Sequence, residues 1–581
     1  MQYLTVLYGL IGLSFLIFIH ELGHFLVARY FKMDVMTFSI GFGPVLYSFQ
    51  RGGVTYRIGI IPFGGYVKIR GMEEDSDNED SYYKKKPYQR LLMVLAGPFV
   101  NIVFAFIGFS AIYFCGGFLK DSVDSTTLVG MVDPASQTFV MGLKPGDRIE
   151  SINGEKVIGR KDLFFHTILQ AKQSRICGES INYKTREKNF FDFTVEPVKQ
   201  TWNGYEIQSL GLSCPASYLI FNSKRINGSP FVENSSMKNS SIMDLDRIVW
   251  VNGELIFSKE QLNHILQQNS CLVTVLRKGE IKVVKAIKKK LSELGFTLAE
   301  KEDIQDIKFD ANIAFSTDVE FIDCIFDQDG IVYSLKDSSS PFEVEDKIIA
   351  VDGIKTIFGS DILKLLQKRH VVGIVSHANF NPIESKEQDA LFFNEFSMES
   401  LDKVIHQIGV TSYQASFENL RLLKPFEPIE IEFNGQIHYR MGVHLHDRQV
   451  IVNPDPFTQT WSTFKEMGKI LHHLTKGDLS PKFLSGPVGI VGAMQKGWSD
   501  GFKDGLFWLS TISLNLGVMN LIPIPVLDGG HVVFTVFEMV TKRRINRKLM
   551  ERLLVPFVLF FIGLAIFTTF HDLQKIFSFI R

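Results

Sequence analysis

The chain has 581 residues, is 45% hydrophobic and 22% charged, and carries a formal net charge of −1. That balance offers no case for a nucleic-acid binder, and a mean hydropathy of +0.09 is too low for a chain wholly embedded in lipid. A few membrane spans plus a large water-soluble part fit both, and the length calls for several domains.

Residues from about 3 to 28 form the first apolar segment, long enough to cross a bilayer. No Lys or Arg precedes its core and no small-residue cleavage site follows, which separates it from a secretory signal peptide. Within it stands His20-Glu21-Leu22-Gly23-His24, an HExxH motif. Residues four apart share a helix face, so both imidazoles reach one Zn2+ ion. Glu21 is placed to take the proton of a water that attacks a carbonyl. The plainer reading, that these residues merely end a membrane helix, leaves ionisable groups in an apolar span without a use.

Residues 29–89 are polar and carry Arg29, Lys32, Arg51, Arg57, Lys68, Arg70 and Lys84-Lys85-Lys86. The positive-inside rule makes this loop cytoplasmic and the N-terminus external. Val45–Phe49 and Val54–Ile58 flank Gly52-Gly53 and read as a β-hairpin. Its continuation, from Ile58 through Phe63-Gly64-Gly65, is apolar enough for contact with the membrane or the protein core. The acidic cluster Glu73, Glu74, Asp75, Asp77, Glu79 and Asp80 reads as a solvated loop. A second span covers about 91–118.

Residues from about 120 to 505 are soluble in character and, by topology, extracytoplasmic. They hold an internal repeat. Asp147-Arg148-Ile149-Glu150-Ser151-Ile152-Asn153-Gly154 recurs as Asp246–Gly253 and, more weakly, as Asp346–Gly353. Each copy reads as a turn, a strand and an Asn-Gly or Asp-Gly hairpin, with a helical stretch after it. Gly142-Leu143-Lys144-Pro145-Gly146-Asp147 resembles the GLxPGD element of PDZ domains, which hold an extended segment or a free C-terminus by strand addition. PDZ-like domains are expected over 125–200 and 201–292. Over 310–450 a divergent third copy competes with a β-rich insertion. Cys177, Cys214, Cys271 and Cys324 lie in this region without CxxC spacing and read as free thiols. Residues 456–505 include an amphipathic pattern over 464–474, suited to the outer membrane surface. His472-His473 are adjacent and point apart on a helix, which argues against a metal pair.

A third span is expected over about 506–528 and a fourth over about 553–570, with a basic loop at Lys542-Arg543-Arg544, Arg547, Lys548 and Arg552 between them. The third span ends in Asn520-Leu521-Ile522-Pro523-Ile524-Pro525-Val526-Leu527-Asp528-Gly529-Gly530. Its prolines free backbone groups, tolerable at membrane depth only beside protein or a wet cavity. Asp528 completes two histidines and a carboxylate, a usual catalytic zinc set. With four spans, His20, His24 and Asp528 fall at one depth near the cytoplasmic face. Gly108-Phe109-Ser110-Ala111 offers a rhomboid-like serine nucleophile with His531 as base, but that reading leaves HExxH and Asp528 idle.

HExxH in the first span and LDG in a late one resemble the site-2 protease family of intramembrane zinc metalloproteases, in its bacterial PDZ-containing branch. Phe63-Gly64-Gly65-Tyr66-Val67-Lys68 resembles that family's FGGYVK, Ala96-Gly97-Pro98-Phe99-Val100-Asn101 its AGPxxN, Ser485-Gly486-Pro487-Val488-Gly489-Ile490 its SGPxGI, and 520–529 its NxxPxPxLDG. These motifs span roughly the first 120 and last 110 residues.

The resemblance implies an α-helical polytopic membrane protein with four transmembrane helices. A membrane-associated, re-entrant β-hairpin and an inserted mixed α/β extracytoplasmic region of PDZ-like domains accompany them. The segments are then 1–118, 125–200, 201–292, 310–450, 456–505 and 506–581. His20, His24 and Asp528 would hold Zn2+, with Glu21 as general base. Asn520, Pro523, Pro525, Gly64 and Gly65 would contact an extended substrate. Substrates would be single-span membrane proteins, either regulators already trimmed by another protease, such as anti-sigma-factor-like proteins, or remnant signal peptides. The PDZ-like domains would bind an extended peptide or a new C-terminus, membrane lipid would surround the spans, and the site of action would be the bacterial inner membrane with both termini outside. The competing class is a non-catalytic PDZ scaffold that senses misfolded envelope proteins; a degraded metal set would favour it, and all four residues are present.

Overall fold

The computed structural model describes residues 2–72, 78–163, 173–202, 205–223, 228–313, 319–377, 384, 389, 392, 394–411, 415–433, 435–477, 479, 481, 484–543 and 547–580. Glu73, Glu74, Asp75 and Asp77 of the acidic cluster, Arg544 of the second basic loop and most of the stretch following the first repeat copy lie outside the described residues. The protein forms two compact units, one from Met1–Leu119 with Ile451–Arg581, the other from Lys120–Val450.

In the first unit, a long apolar run interrupted by His20, Glu21 and His24 makes α1 (Gln2–Tyr30) a helix that satisfies its own backbone in lipid. It stops at left-handed Lys32 (φ 55°), where Met33 N–H reaches back 2.9 Å to the Ala28 carbonyl. β1 (Val35–Arg51) and β2 (Val54–Ile69) join through Gly52 and Gly53, both at positive φ, as an Asn-Gly-like tight turn requires. Left-handed Gly41 and Gly43 fold β1 back on itself. Residues 37–40 therefore pair twice, with 55–58 on one side and with 65–68 on the other, and the hairpin becomes a four-stranded sheet in the spatial order 45–51, 54–59, 37–40, 65–68. α2 (Pro87–Phe114) opens with proline in its first turn, where no N–H is needed.

Beyond the second unit, Asp455 caps α3 (Pro456–Lys476) by accepting from the N–H groups of Phe457 and Thr458, and left-handed Gly477 ends it. α4 (Pro487–Asp500) packs on α1: Met494 is buried with Leu16, Ile19 and Leu509. Gly489 N–H, in the first turn of α4, donates 2.7 Å to Asp572 of α7 (Arg547–Ile580).

The third span differs from expectation. α5 (Phe502–Asn520) ends before the prolines, and α6 begins afresh at Asp528 (Asp528–Thr541). Pro523 and Pro525 lack the N–H a continuous helix needs. The intervening loop folds back on the start of α6 so tightly that a Cβ on Gly529 would stand 2.2 Å from the Ile522 carbonyl oxygen. Among the described residues, three helices are long and apolar enough to cross a membrane: Leu7–Tyr30, Pro87–Phe114 and Arg552–Gln574. α5 falls short because Lys503, Asp504, Ser510, Ser513, Asn515 and Asn520 dilute its apolar run. Ser513 is fully buried and donates 2.9 Å to the Asn101 carbonyl of α2. Buried Arg90 of α2 meets Glu538 of α6 at 2.9 Å.

In the second unit the three repeat copies share one local geometry. The aspartate that opens each copy accepts a backbone N–H from three residues upstream: Lys144 to Asp147 at 2.9 Å, Met243 to Asp246 at 2.7 Å, Glu343 to Asp346 at 2.8 Å. Each copy ends in a turn with two positive φ values, at Asn153-Gly154, Asn252-Gly253 and Asp352-Gly353. The turn side chain then accepts an N–H from a neighbouring strand: Arg175 for Asn153 (2.7 Å), Val372 for Asn252 (2.9 Å), Leu272 for Asp352 (2.8 Å).

Those donors show how the copies are connected. The first copy's strand, Arg148–Ile152, pairs with Ser174–Ile181 just downstream. The second copy's strand, Asp246–Val251, pairs with Gly373–His377, beyond the third copy. The third copy's strand, Lys347–Val351, pairs with Ser270–Arg277, which precedes it. Residues 270–366 are thus a contiguous body inserted into the second copy. Its core gathers Val273, Phe321, Phe326, Ile348 and Leu363, whereas Ile248, Leu262, Val375 and Phe426 share another. The segments 201–292 and 310–450 therefore share their sheets across the boundary drawn between them.

Candidate active site

His20 and His24 lie one turn apart on α1, with both imidazoles buried and their Nε2 atoms 3.3 Å apart. Asp528, in the first turn of α6, brings Oδ2 to 3.2 Å from His20 Nε2 and 3.5 Å from His24 Nε2. A tetrahedral zinc with ligand atoms at about 2.0–2.1 Å separates those atoms by about 3.3 Å. The three donors therefore have the spacing and the chemistry of a zinc site. Among the described residues they are also the group of His, Cys, Asp and Glu side chains close enough to share an ion.

The helices approach closely enough to set these rings. His24 Nδ1 lies 2.8 Å from the Met93 carbonyl oxygen of α2, to which it donates, leaving Nε2 bare. Gly23 and Gly97 permit this approach. A Cβ on Gly23 would stand 2.6 Å from the Ala96 carbonyl oxygen. His20 meets two amides: Asn101 Nδ2 is 3.2 Å from its Nδ1, and Asn520 Nδ2, at the end of α5, is 3.3 Å from its Nε2.

Gly65 of β2 adjoins Glu21, since a Cβ there would stand 2.9 Å from Glu21 Cγ. Gly64 is left-handed (φ 115°), and a side chain on it would strike the Phe42 ring. Pro523 is exposed and Pro525 half-buried, both in the loop between Asn520 and Asp528. Other candidates sit elsewhere. Ser110 Oγ donates 2.7 Å to the Phe106 carbonyl of its own helix, and the rings of His472 and His473 stand 5.5 Å apart on α3.

Reading the residues one by one passes over Met93, Gly97 and Asn101 as contributors. Met93 acts through its backbone and leaves no sequence signal. Asn101 does leave one, because an amide inside an apolar span is costly unless used.

A family model described as peptidase family M50 matches residues 8–564. The chain is 33% identical to a Chlamydia pneumoniae protein, with 99% of this chain and 100% of that protein covered. It is 32% identical to a Chlamydia trachomatis serovar D protein over 99% and 100%, and 25% identical to a Thermotoga maritima protein over 98% and 99%. All three carry the provisional name zinc metalloprotease.

Proposed function

The chain belongs to peptidase family M50, the site-2 protease family, and from that premise we propose that it cuts apolar spans of membrane-anchored proteins within the bilayer. It is a zinc metalloprotease. The observation that carries the intramembrane reading is the convergence of His20, His24 and Asp528 at 3.2–3.5 Å, on a helix apolar enough to span and at the start of one that follows a proline break.

In this reading His20, His24 and Asp528 hold the ion. The ion they would hold would supply Lewis-acid chemistry, polarising the scissile carbonyl and making water a better nucleophile. Glu21 takes the proton from the attacking water and returns it to the departing amine nitrogen, so its carboxylate is unchanged after a cycle. Asn520 donates to the substrate carbonyl or its backbone. The 521–527 loop, with Pro523 and Pro525, together with the Gly64-Gly65 stretch of β2, borders an extended peptide. A substrate helix therefore unwinds locally before it is cut, because only extended backbone fits between a strand and a loop.

The α5–α6 pair serves as the third of four crossings, counting α1, α2 and α7. The basic loops at 29–89 and 542–552 face the cytoplasm of a bacterial inner membrane, and both termini lie outside. The 120–450 unit then stands outside, its copies acting as PDZ-like receptors or as a size filter that favours pre-trimmed regulators and remnant signal peptides. The deciding test is cleavage of a model single-span substrate together with metal content. Glu21→Gln should keep zinc and lose turnover; His20→Ala, His24→Ala and Asp528→Ala should lose zinc. Full turnover by Glu21→Gln would sink the mechanism.

A further inference from the structure

Asn101 is completely buried in α2, a helix apolar enough to span a membrane. Burying an amide there costs free energy unless its hydrogen bonds are made. Its Nδ2 lies 3.2 Å from His20 Nδ1, while its Oδ1 is buried with no hydrogen-bond partner among the described residues. A half-turn of the amide exchanges Oδ1 and Nδ2 without moving any other atom, and only the surrounding hydrogen bonds distinguish the two.

The converging atoms decide between them. His20 Nε2, His24 Nε2 and Asp528 Oδ2 converge at the spacing of a shared zinc ion, and a nitrogen that ligates zinc is bare, so in the zinc-binding form of each ring the hydrogen sits on Nδ1. For His24 that hydrogen goes to the Met93 carbonyl. For His20 the group in reach is the Asn101 amide, and an Nδ1–H needs an oxygen there rather than an NH2.

We propose that Asn101 is the positioning residue for His20: its amide oxygen accepts the Nδ1–H, holds the ring in the zinc-binding tautomer and fixes its tilt. This rests on the reading of His20 as a zinc ligand. The backbone adds rigidity, because the Asn101 carbonyl accepts from Ser513 Oγ at 2.9 Å, so α1, α2 and α5 meet at this residue. A partner of this kind sharpens metal affinity by roughly 10- to 100-fold.

The test is zinc affinity of the full-length, detergent-solubilised protein by competition with a chromophoric chelator, with the visible spectrum of the cobalt-substituted protein as a second readout. Asn101→Leu keeps the branching and number of side-chain heavy atoms and removes the acceptor; Asn101→Asp keeps an acceptor oxygen. Leu should weaken zinc roughly 10- to 100-fold and shift the cobalt spectrum, and Asp should restore affinity to within a few-fold of the parent. Equal zinc affinity of Asn101→Leu and the parent would overturn the proposal. So would equal losses in Leu and Asp, which mark a packing role. A parent protein that binds zinc no better than its His20→Ala variant overturns the ligand reading itself, and the proposal with it. Zinc lost in His20→Ala but unmoved by Asn101→Leu overturns the proposal alone.

Discussion

Gly97 of α2 lies against the imidazole of His24: a Cβ built on it would stand 2.3 Å from Nε2, the atom that faces Asp528. No rotation of a methyl group relieves that contact, so either the ring or the helix must move. Gly97→Ala is expected to displace the ring by a fraction of an ångström or more and to lower turnover by roughly 100-fold, the usual cost of misplacing a reacting group by about 1 Å. Zinc affinity should fall with it. Gly492→Ala is the control: it too lies in a helix, with open space around its Cβ position, and should leave both unchanged. Proteolysis assays and metal titration of the two variants check this.

Asp352 stands where the other copies have Asn153 and Asn252, and all three side chains accept a strand N–H. Burial pushes its carboxyl up to about 7, against the opposing pull of the Leu272 N–H, Lys288, the His370 backbone and Arg369. The folded pKa exceeds the unfolded one, so the folded state holds the extra proton. The stabilisation it brings is complete below about pH 4 and is lost as pH rises through 7. A shift of this size corresponds to on the order of a few kcal/mol. Asp352→Asn should remove that pH dependence, since an amide makes the same bond without titrating. Thermal unfolding of the full-length protein at pH 5 and pH 8 is the check, with a smaller drop expected in the variant.

Orientation is open to chemical labelling. In a background lacking the native cysteines, Lys278→Cys should react with an impermeant thiol reagent in intact cells, and Glu79→Cys should not. Both positions are exposed, so access to the side chain is not limiting. Labelling at 79 but not at 278 would invert the orientation and put the 120–450 unit in the cytoplasm.

The nested pairing predicts an asymmetry between two deletions. Removing 270–366 with a short bridge takes out a body that carries its own core and leaves the strand Asp246–Val251 with its partner Gly373–His377. Removing 293–450 instead takes that partner away and strips the third copy's strand from Ser270–Arg277. Limited proteolysis should find a resistant second copy after the first deletion and a degraded one after the second.

What could be read from the residues alone follows the range of each interaction. The His20–His24 spacing is a property of one helix turn, and the Asp…Asn-Gly copies are written in bonds that span three residues or one turn, so a linear pattern displays them. The break at 521–527 was half-legible. Pro523 and Pro525 announce it, but Gly529 and Gly530 disclose their purpose only when the loop lies against them. The nested sheets were not legible, because Val251 and Gly373 are joined by nothing local and each strand is equally suited to either partner. The same holds for Met93, whose contribution is a carbonyl that every residue possesses.

The insertion has a consequence for how the protein emerges from the ribosome. The strand ending at Val251 meets its partner at Gly373, roughly 120 residues later. At about 5–20 residues per second, that edge waits on the order of 6–25 seconds after synthesis before it can be covered. Residues 270–366 have no such delay, because every strand they need is already present when Leu366 appears. Assembly therefore runs from the inside outward, with the later half of the second copy closing around a finished guest. During the interval a six-residue strand, buried at every position in the finished fold and apolar from Ile248 to Val251, is exposed, and it is the point at which holdase chaperones or a neighbouring nascent polypeptide would engage.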